Sequence, residues 1–342
     1  PSLSAALGLS DKGGVWVKDE TGNVSGSHKA RHLFGILLAL EVADRLRGGP
    51  HVARPAGGPG RAPLAIASCG NAALAAAVLA RAARRPLDCY IPPGASPAVK
   101  ARLEALGARL VACPRREKEK GDPCYLRFQE ALAAGAIPFC CQGPDNGLTI
   151  EGGQTLAWEI VTELRRTGET LDRLLVQVGG GALASACVQG FREAVLLGAL
   201  PRMPRIHAVQ TTGAYPLSRA HEILAKRIGA ASLEEALRHA ATNRSTYMWP
   251  WEEEPKSIAD GILDDETYDW LAIERGVLET GGSPIVVDEE TLLQANELAR
   301  RTTGIDASHT GTAGLAGLLD LSRSGALQSG EKIAVIFSGA RR

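Results

Sequence analysis

The chain changes from a strand pattern to a helix pattern across Thr21-Gly22-Asn23-Val24-Ser25-Gly26-Ser27-His28-Lys29-Ala30-Arg31. The apolar run Val15-Trp16-Val17 precedes this stretch, and an apolar helical pattern from Leu33 to Leu40 follows it. A serine oxygen can accept a hydrogen bond from a free backbone N–H at a helix start, so a helix is predicted here with Lys29 in its first turn. The positive end of the helix dipole disfavours an added cation and favours the neutral amine, which attacks carbonyls. A lysine near a helix start is otherwise most often a solvated surface residue.

Composition excludes several classes of protein. The 342 residues suffice for two domains or one large one, and lysine plus arginine (38) equals aspartate plus glutamate (38). No net field therefore attracts nucleic acid or an acidic membrane. The seven cysteines contain no CxxC pair and share no metal-ligand spacing with the histidines, which suits a reducing cytosol. The longest apolar run, Ala72 to Ala80, is too short for a bilayer. We expect a cytoplasmic protein without nucleic-acid, membrane or metal partners.

Strands and helices alternate along most of the chain. Predicted strands include Leu64 to Ala67, Leu174 to Val178 and Ile333 to Phe337, and each ends at a turn that contains glycine. This alternation predicts an α/β fold with parallel sheets covered by helices on both faces. A Gly/Pro-rich loop from Gly48 to Gly60 should end the first unit, and a late helix is expected from Asp265 to Thr280.

Three of the turns that follow strands are candidates for ligand binding: Ser68-Cys69-Gly70-Asn71, Gly179-Gly180-Gly181-Ala182-Leu183 and Ser338-Gly339. In parallel sheets, ligands bind at the carboxyl ends of the strands, where glycines let backbone N–H groups converge on an anion. A tight turn without a ligand would use the same glycines, and Asn71 could equally be a helix N-cap. The triple glycine lacks both the GxGxxG and the GK[ST] patterns, which disfavours nicotinamide and nucleoside triphosphate sites.

Taken together, these residues resemble the tryptophan-synthase-like (fold type II) group of pyridoxal 5'-phosphate (PLP) enzymes, which includes threonine synthase, serine/threonine dehydratase and cysteine synthase. The stretch from Gly26 to Arg31 looks like the group's GS[FH]K-x-R, whose lysine holds PLP as a Schiff base. The resemblance implies that Lys29 is catalytic. It implies that the cofactor is bound by Lys29, Asn71, Gly179, Gly180, Gly181, Ala182, Leu183 and Ser338. It implies that the substrate is bound by Ser68, Cys69, Gly70 and Asn71.

The same resemblance implies an architecture. It comprises two parallel-sheet, three-layer α/β domains with PLP in the cleft between them. The large cofactor-binding domain would take residues 1–33 and 150–342, and the small domain residues 34–149. A small amino acid would be the substrate, Lys29 would remove its α-proton, and a neutral Ser338 at the pyridine nitrogen would suit elimination. The shape of the family suggests a homodimer.

The reaction within the group is indicated by three further motifs. The stretches from Ile150 to Leu156 (Ile-Glu-Gly-Gly-Gln-Thr-Leu) and from Ser308 to Gly317 are similar to threonine synthase, whereas Ser257-Ile258-Ala259-Asp260-Gly261-Ile262 looks more like the dehydratases. Cys69 and Ala72 stand where relatives often carry hydrogen-bonding side chains. We therefore expect a threonine-synthase-like lyase that acts by β/γ-elimination or replacement. The alternatives are a threonine/serine dehydratase and a cysteine-synthase-type enzyme that uses a non-standard amino acid. A catalytically silent binding protein on this fold would not need Lys29.

Overall fold

The computed structural model describes residues 2–9, 13–48, 62–229 and 231–341, and contacts divide the chain into two units. The first unit comprises Pro1–Gly22 and Gln154–Arg342, and the second comprises Asn23–Gly153. The expected Gly/Pro-rich loop lies, beyond Gly48, outside the described residues. The contact boundaries differ from the sequence-based ones at 33/34 and 149/150, so Lys29 belongs to the second unit. Which domain binds the cofactor stays a prediction.

Strands and helices alternate along the described chain. The strands are β1 (Gly14–Asp19), β2 (Leu64–Ala67), β3 (Leu87–Ile91), β4 (Arg109–Ala112), β5 (Ile137–Pro138), β6 (Arg173–Gln177), β7 (Arg205–Thr211), β8 (Ser283–Val287) and β9 (Lys332–Phe337). The helices are α1 (Leu3–Ala6), α2 (Lys29–Gly48), α3 (Asn71–Ala82), α4 (Pro97–Ala105), α5 (Pro123–Ala133), α6 (Leu148–Thr167), α7 (Ala182–Leu196), α8 (Pro216–Ile228), α9 (Leu233–Thr242), α10 (Arg244–Tyr247), α11 (Trp270–Thr280), α12 (Glu289–Thr303) and α13 (His309–Arg323). A 3₁₀ turn spans Asp260–Ile262.

The first unit is built on a five-stranded parallel sheet in the order β1-β9-β6-β7-β8. Successive residues of a strand point to opposite faces, and the two apolar cores of the unit follow this alternation. Leu174 and Val176 of β6 belong to the core that includes α7 and α11, whereas Leu175 belongs to the core that includes α12 and α13. Helices therefore cover both faces of the sheet, as the buried, apolar strands of a parallel sheet require.

The second unit contains a four-stranded parallel sheet in the order β4-β3-β2-β5. Every residue of β3 is buried, and α3 buries seven residues, most of them alanines that allow close packing. The two parallel sheets and their helices confirm the predicted α/β fold class.

The last third of the first unit departs from the sequence-based expectation. The predicted helix start at Asp265 is wrong, since α11 begins at Trp270. Residues 263–269 are irregular instead, because they pack behind the glycine turn that follows β6.

Within the described ranges, no helix combines the length and the apolar character that crossing a bilayer needs.

Candidate active site

Lys29 is the first residue of α2, as the sequence predicts for a lysine in the first helical turn. The side chain is half-buried, and no hydrogen bond or ion pair links its amine to any residue that the structure describes. A carboxylate partner would stabilise the charged ammonium form of a lysine. The described residues provide no such partner, so the Lys29 amine is open to a ligand.

Two histidines stand beside Lys29 in the second unit. The His28 and His32 rings meet edge to face, with their centroids 5.5 Å apart. Burial, followed by the charge of Lys29, lowers the pKa of His28 well below its usual value and that of His32 to about 3. The Nδ1 of His32 donates to the Thr149 carbonyl over 2.7 Å, so its Nε2 carries a lone pair. That buried Nε2 has no hydrogen-bond partner among the described residues.

A close helix crossing fixes the start of α2. A Cβ on Gly35 would lie 2.6 Å from the Cα of Gly152 in α6, and a Cβ on Gly152 would lie 2.7 Å from the His32 carbonyl oxygen. Real Cβ atoms do not approach other atoms so closely. The glycines at these two positions therefore let α6 pass against the turn that carries Lys29. This contact gives a physical reason for Gly152 in the motif that begins at Ile150, which sequence reasoning did not supply.

The Ser68-Cys69-Gly70-Asn71 turn joins β2 to α3 in the same unit. Ser68 Oγ accepts a hydrogen bond from the Gly70 N–H over 3.2 Å, which curls the turn. The N-cap of α3 is Gly70, so the interpretation of Asn71 as an N-cap is wrong, and its amide has no hydrogen-bond partner within the described chain. The first N–H groups of α3 likewise donate to no described acceptor. Free N–H groups at a helix start favour an anion such as a carboxylate.

The glycine turn Gly179 to Leu183 connects β6 to α7 in the first unit. Gly181 is the N-cap of α7 and has a left-handed conformation, with φ of 100°. No acceptor within the described residues takes the backbone N–H groups of residues 179–183. Several free N–H groups at the start of a fifteen-residue helix are the arrangement that binds a phosphate.

The irregular segment 263–269 packs against this turn. A Cβ on Gly180 would lie 2.9 Å from Cδ2 of Tyr268, and one on Gly181 would lie 2.7 Å from Cδ1 of Ile273. The Asp269 N–H donates to the Gly180 carbonyl over 3.1 Å. The glycines are thus needed for packing as well as for the free N–H groups. Tyr268 and Asp269 were missed from the sequence, because only the glycine run signalled that something must approach closely.

Ser338 follows β9 and is 3% exposed. Because β9 pairs in parallel with β6, their carboxyl ends lie side by side, and the Gln177 amide of β6 donates to the Ile336 carbonyl over 3.2 Å. The Ser338 N–H donates to the Gly311 carbonyl at the start of α13. The structure therefore brings Ser338 and the glycine turn together at one edge of the large sheet.

The synthase-like and dehydratase-like motifs pack against each other at this edge. The Gly261 N–H donates to Oγ1 of Thr310 over 2.9 Å, and that hydroxyl donates to Asp260 over 3.4 Å. Ser308 caps α13 through a hydrogen bond from the Gly311 N–H. The two motifs therefore form one structural feature, although one resembles threonine synthase and the other resembles the dehydratases.

The residues in each unit fit a phosphate-bearing pyridine aldehyde. The glycine turn offers free N–H groups to a phosphate, and the buried Ser338 hydroxyl offers a neutral partner for a ring nitrogen. In the second unit, Lys29 offers an amine without a carboxylate partner among the described residues. Each group lies within its own unit.

Comparison with known proteins supports this fit. Residues 1–339 match the family described as "Pyridoxal-phosphate dependent enzyme". The threonine synthase of Methanosarcina acetivorans is 25% identical over 341 residues, which cover 97% of this chain and 72% of the relative. An L-serine dehydratase of Saccharomyces cerevisiae is 26% identical over 239 residues, which cover 68% of this chain and 65% of the relative.

A solved structure, the T.th. threonine deaminase, has the same fold. It superposes with a TM-score of 0.73 at 21% identity and covers 99% of this chain and 90% of its own. The fold class and the cofactor predicted from the sequence are thereby confirmed. Because the family match extends over nearly the whole sequence, the chain belongs to the pyridoxal-phosphate-dependent enzymes.

Proposed function

We propose that the chain is a threonine-synthase-like lyase that acts on a small amino acid by β/γ-elimination or replacement, as a cytoplasmic homodimer. The observation that carries the proposal is the set of unpaired N–H groups at residues 179–183, next to the buried Ser338. Bound PLP supplies an electron sink when a bond to the substrate α-carbon breaks. The protein residues then decide which bond breaks and where the proton goes.

The proposed roles follow from the surroundings of each residue. Lys29 holds the cofactor through Nζ and, once released, takes the α-proton at that atom. The N–H groups of Gly179, Gly180, Gly181, Ala182 and Leu183 bind the phosphate, and Ser338 lies against the ring nitrogen. A hydroxyl, unlike a carboxylate, leaves that nitrogen largely without a proton, which weakens the electron sink and favours elimination.

The substrate carboxylate is proposed to bind at the turn before α3. The turn offers the free N–H groups of the helix start, with Ser68, Cys69, Gly70 and Asn71 around them. Asn71 has an amide without a partner among the described residues, and it is proposed to bind the cofactor as well. Because Cys69 and its neighbour Ala72 add no strong hydrogen-bond donor, the backbone provides most of the selectivity for the carboxylate.

A threonine-synthase-like reaction is supported by the relative of that name, which matches nearly the whole chain, and by the motifs at Ile150 and Ser308. A threonine/serine dehydratase is the second candidate, because the stretch Ile258-Ala259-Asp260-Gly261 resembles those enzymes. The dehydratase relative covers only 68% of this chain. A cysteine-synthase-type replacement on a non-standard amino acid remains the third.

The cofactor assignment is tested by borohydride reduction and peptide mass spectrometry. The purified protein should be yellow, and reduction should fix the cofactor to Lys29. After borohydride treatment, Lys29→Ala should lose the cofactor on gel filtration in denaturant, whereas Lys100→Ala should keep it covalently bound. Lys100 is the matched control, because its Nζ donates to the Pro93 carbonyl at the surface of the same unit. Attachment to another lysine, or a protein that takes up no PLP, would refute the assignment.

The reaction is tested with four separate substrates: O-phosphohomoserine, threonine, serine and O-acetylserine. Phosphate and threonine from the first substrate are expected, with little keto acid from the others. Keto acid from threonine or serine, without phosphate release from O-phosphohomoserine, would establish the dehydratase instead. Cysteine formed from O-acetylserine and sulfide would indicate the replacement reaction.

A further inference from the structure

A cavity of about 720 Å³ lies in the first unit, between α7, α9 and α11. Its floor is apolar, with Val188, Leu237 and the 3% exposed Trp270. This volume lies within the range that holds small organic ligands in proteins. The proposed roles of the glycine turn, Lys29 and Ser338 make no use of the cavity.

The charges around the rim are paired except for one. Arg275 bonds Glu234 over 2.6 Å, and Arg192 pairs with Glu279. The guanidinium of Arg238 forms no ion pair or hydrogen bond with any residue in the described part of the chain. Glu234, one helical turn before Arg238, is already held by Arg275. The exposed Arg238 interacts with Glu234 and Glu235 through its charge alone, without a hydrogen bond, so its guanidinium donors remain available to an anion.

A serine hydroxyl also borders the cavity. Ser185 lines the cavity, and no hydrogen bond of its side chain is found within the described residues. The Ser185 oxygen is not among the fully buried polar atoms that lack a partner, so it is open to the cavity and can donate to a ligand there. A free guanidinium, a free hydroxyl and an apolar floor together match a singly charged carboxylate with an apolar body. A phosphate dianion would need more unpaired positive charge.

The cavity shares a wall with the glycine turn. Tyr268 and Asp269 line the cavity, and the same two residues contact Gly180 on its far side, through the ring and through the 3.1 Å hydrogen bond from the Asp269 N–H. A ligand that pushes Tyr268 towards Gly180 must also shift the glycine turn, because the gap between them is too small for even a methyl group. Interiors packed this closely transmit displacement.

We propose that this cavity binds a small carboxylate with an apolar body, and that its occupation changes the affinity of the glycine turn for the cofactor phosphate. The second part rests on the proposed phosphate-binding role of residues 179–183, whereas the first part does not. Arg238 binds the carboxylate, Ser185 donates a hydrogen bond, and Trp270 and Leu237 contact the apolar body. By reciprocity, bound cofactor changes the affinity for the carboxylate by the same factor.

Isothermal titration of the holoenzyme with 4-methylpentanoate tests the first part. Saturable binding is expected, and the uncharged 4-methylpentanamide should bind at least about tenfold more weakly, because a charge-assisted hydrogen bond is lost. Arg238→Gln should weaken carboxylate binding by a similar factor. Arg300→Gln should leave it unchanged, since Arg300 is an exposed arginine on α12 that does not line the cavity.

The carboxylate could instead occupy the proposed substrate site, so a third variant separates the two sites. Asn71→Ala should leave 4-methylpentanoate binding intact. Binding that is lost in Asn71→Ala and kept in Arg238→Gln would overturn the proposal, as would no saturable binding at all. This result is independent of the borohydride experiment on Lys29, so the two failures can be told apart.

Titration of the apoprotein with PLP tests the coupling. The dissociation constant of PLP should change at least about threefold at saturating 4-methylpentanoate in the wild type, and should stay unchanged by the carboxylate in Arg238→Gln. An unchanged constant in the wild type would refute the coupling. Equal changes in both proteins would place the effect elsewhere.

Discussion

Replacing Gly181 by alanine tests the central feature of the proposed phosphate site. Gly181 has φ of 100°, and a Cβ there would lie 2.7 Å from Cδ1 of Ile273 and 3.0 Å from Cγ2 of Thr267. The left-handed backbone costs an L-residue about 1–2 kcal/mol. Forcing a methyl group into a packed core adds about 1–3 kcal/mol. The free energy of unfolding should therefore fall by about 2–5 kcal/mol.

Gly304→Ala separates the two contributions. Gly304 is also left-handed, with φ of 72°, but no atom lies within 4 Å of its Cβ position. In this control, the free energy of unfolding should fall only by the backbone contribution of about 1–2 kcal/mol. The difference between the two variants then measures the packing of Thr267 and Ile273 against the glycine turn.

Urea unfolding followed by circular dichroism supplies the free energies, and titration of the apoproteins with PLP supplies the cofactor affinities. Gly181→Ala should bind PLP at least about tenfold more weakly than the wild type, because the added methyl group displaces the turn and, with it, the N–H groups of residues 179–183 that are proposed to bind the phosphate. Gly304→Ala should bind PLP normally. Equal destabilisation of the two variants, together with normal cofactor binding in both, would refute the close packing and the phosphate role of the turn.

Three further predictions concern other parts of the fold. Burial and then the Arg173 charge lower the pKa of His207 from 6.5 to about 4, so between these pH values the unfolded chain binds a proton that the folded chain does not. The free energy of unfolding therefore falls as the pH drops through this interval. In His207→Gln, the slope of the free energy of unfolding against pH near pH 5, measured by urea unfolding, should be smaller by about 1.4 kcal/mol per pH unit. Gly152→Ala should displace the start of α2 and lower borohydride-fixed cofactor, whereas Gly147→Ala, whose Cβ position is open, should not; equal labelling would contradict the crossing. Ser338→Ala should weaken PLP binding about five- to tenfold through one lost hydrogen bond, and an unchanged dissociation constant would show that the hydroxyl does not contact the cofactor.

Local sequence signals predicted the elements that carry the proposed chemistry. The change from Val15-Trp16-Val17 to an apolar helical pattern correctly placed Lys29 in the first turn of a helix. The turns after β2 and β6 were found because glycines directly follow short, buried, apolar strands. Such features depend on neighbouring residues, so a short window of sequence is enough to recognise them.

Contacts between distant residues could not be read in this way. Gly35 and Gly152 are in contact because two helices cross, and the sequence around either glycine does not predict this contact. The predicted helix from Asp265 failed because residues 263–269 pack against the glycine turn, a tertiary contact that overrides local helix propensity. The boundary between units also differed, since α2 packs on α3 within the second unit.

The surroundings of Lys29 explain how a lysine at a helix start can serve as the proposed base. A carboxylate partner would hold the amine as an ammonium ion, and the described residues supply none. His28 and His32 have lowered pKa values, so both rings are neutral at pH 7 and neither adds positive charge beside the amine. A ring that resists protonation is also a poor acceptor for the α-proton. This supports the proposal that Lys29, rather than either histidine, takes the α-proton, with the two rings as uncharged neighbours of its amine.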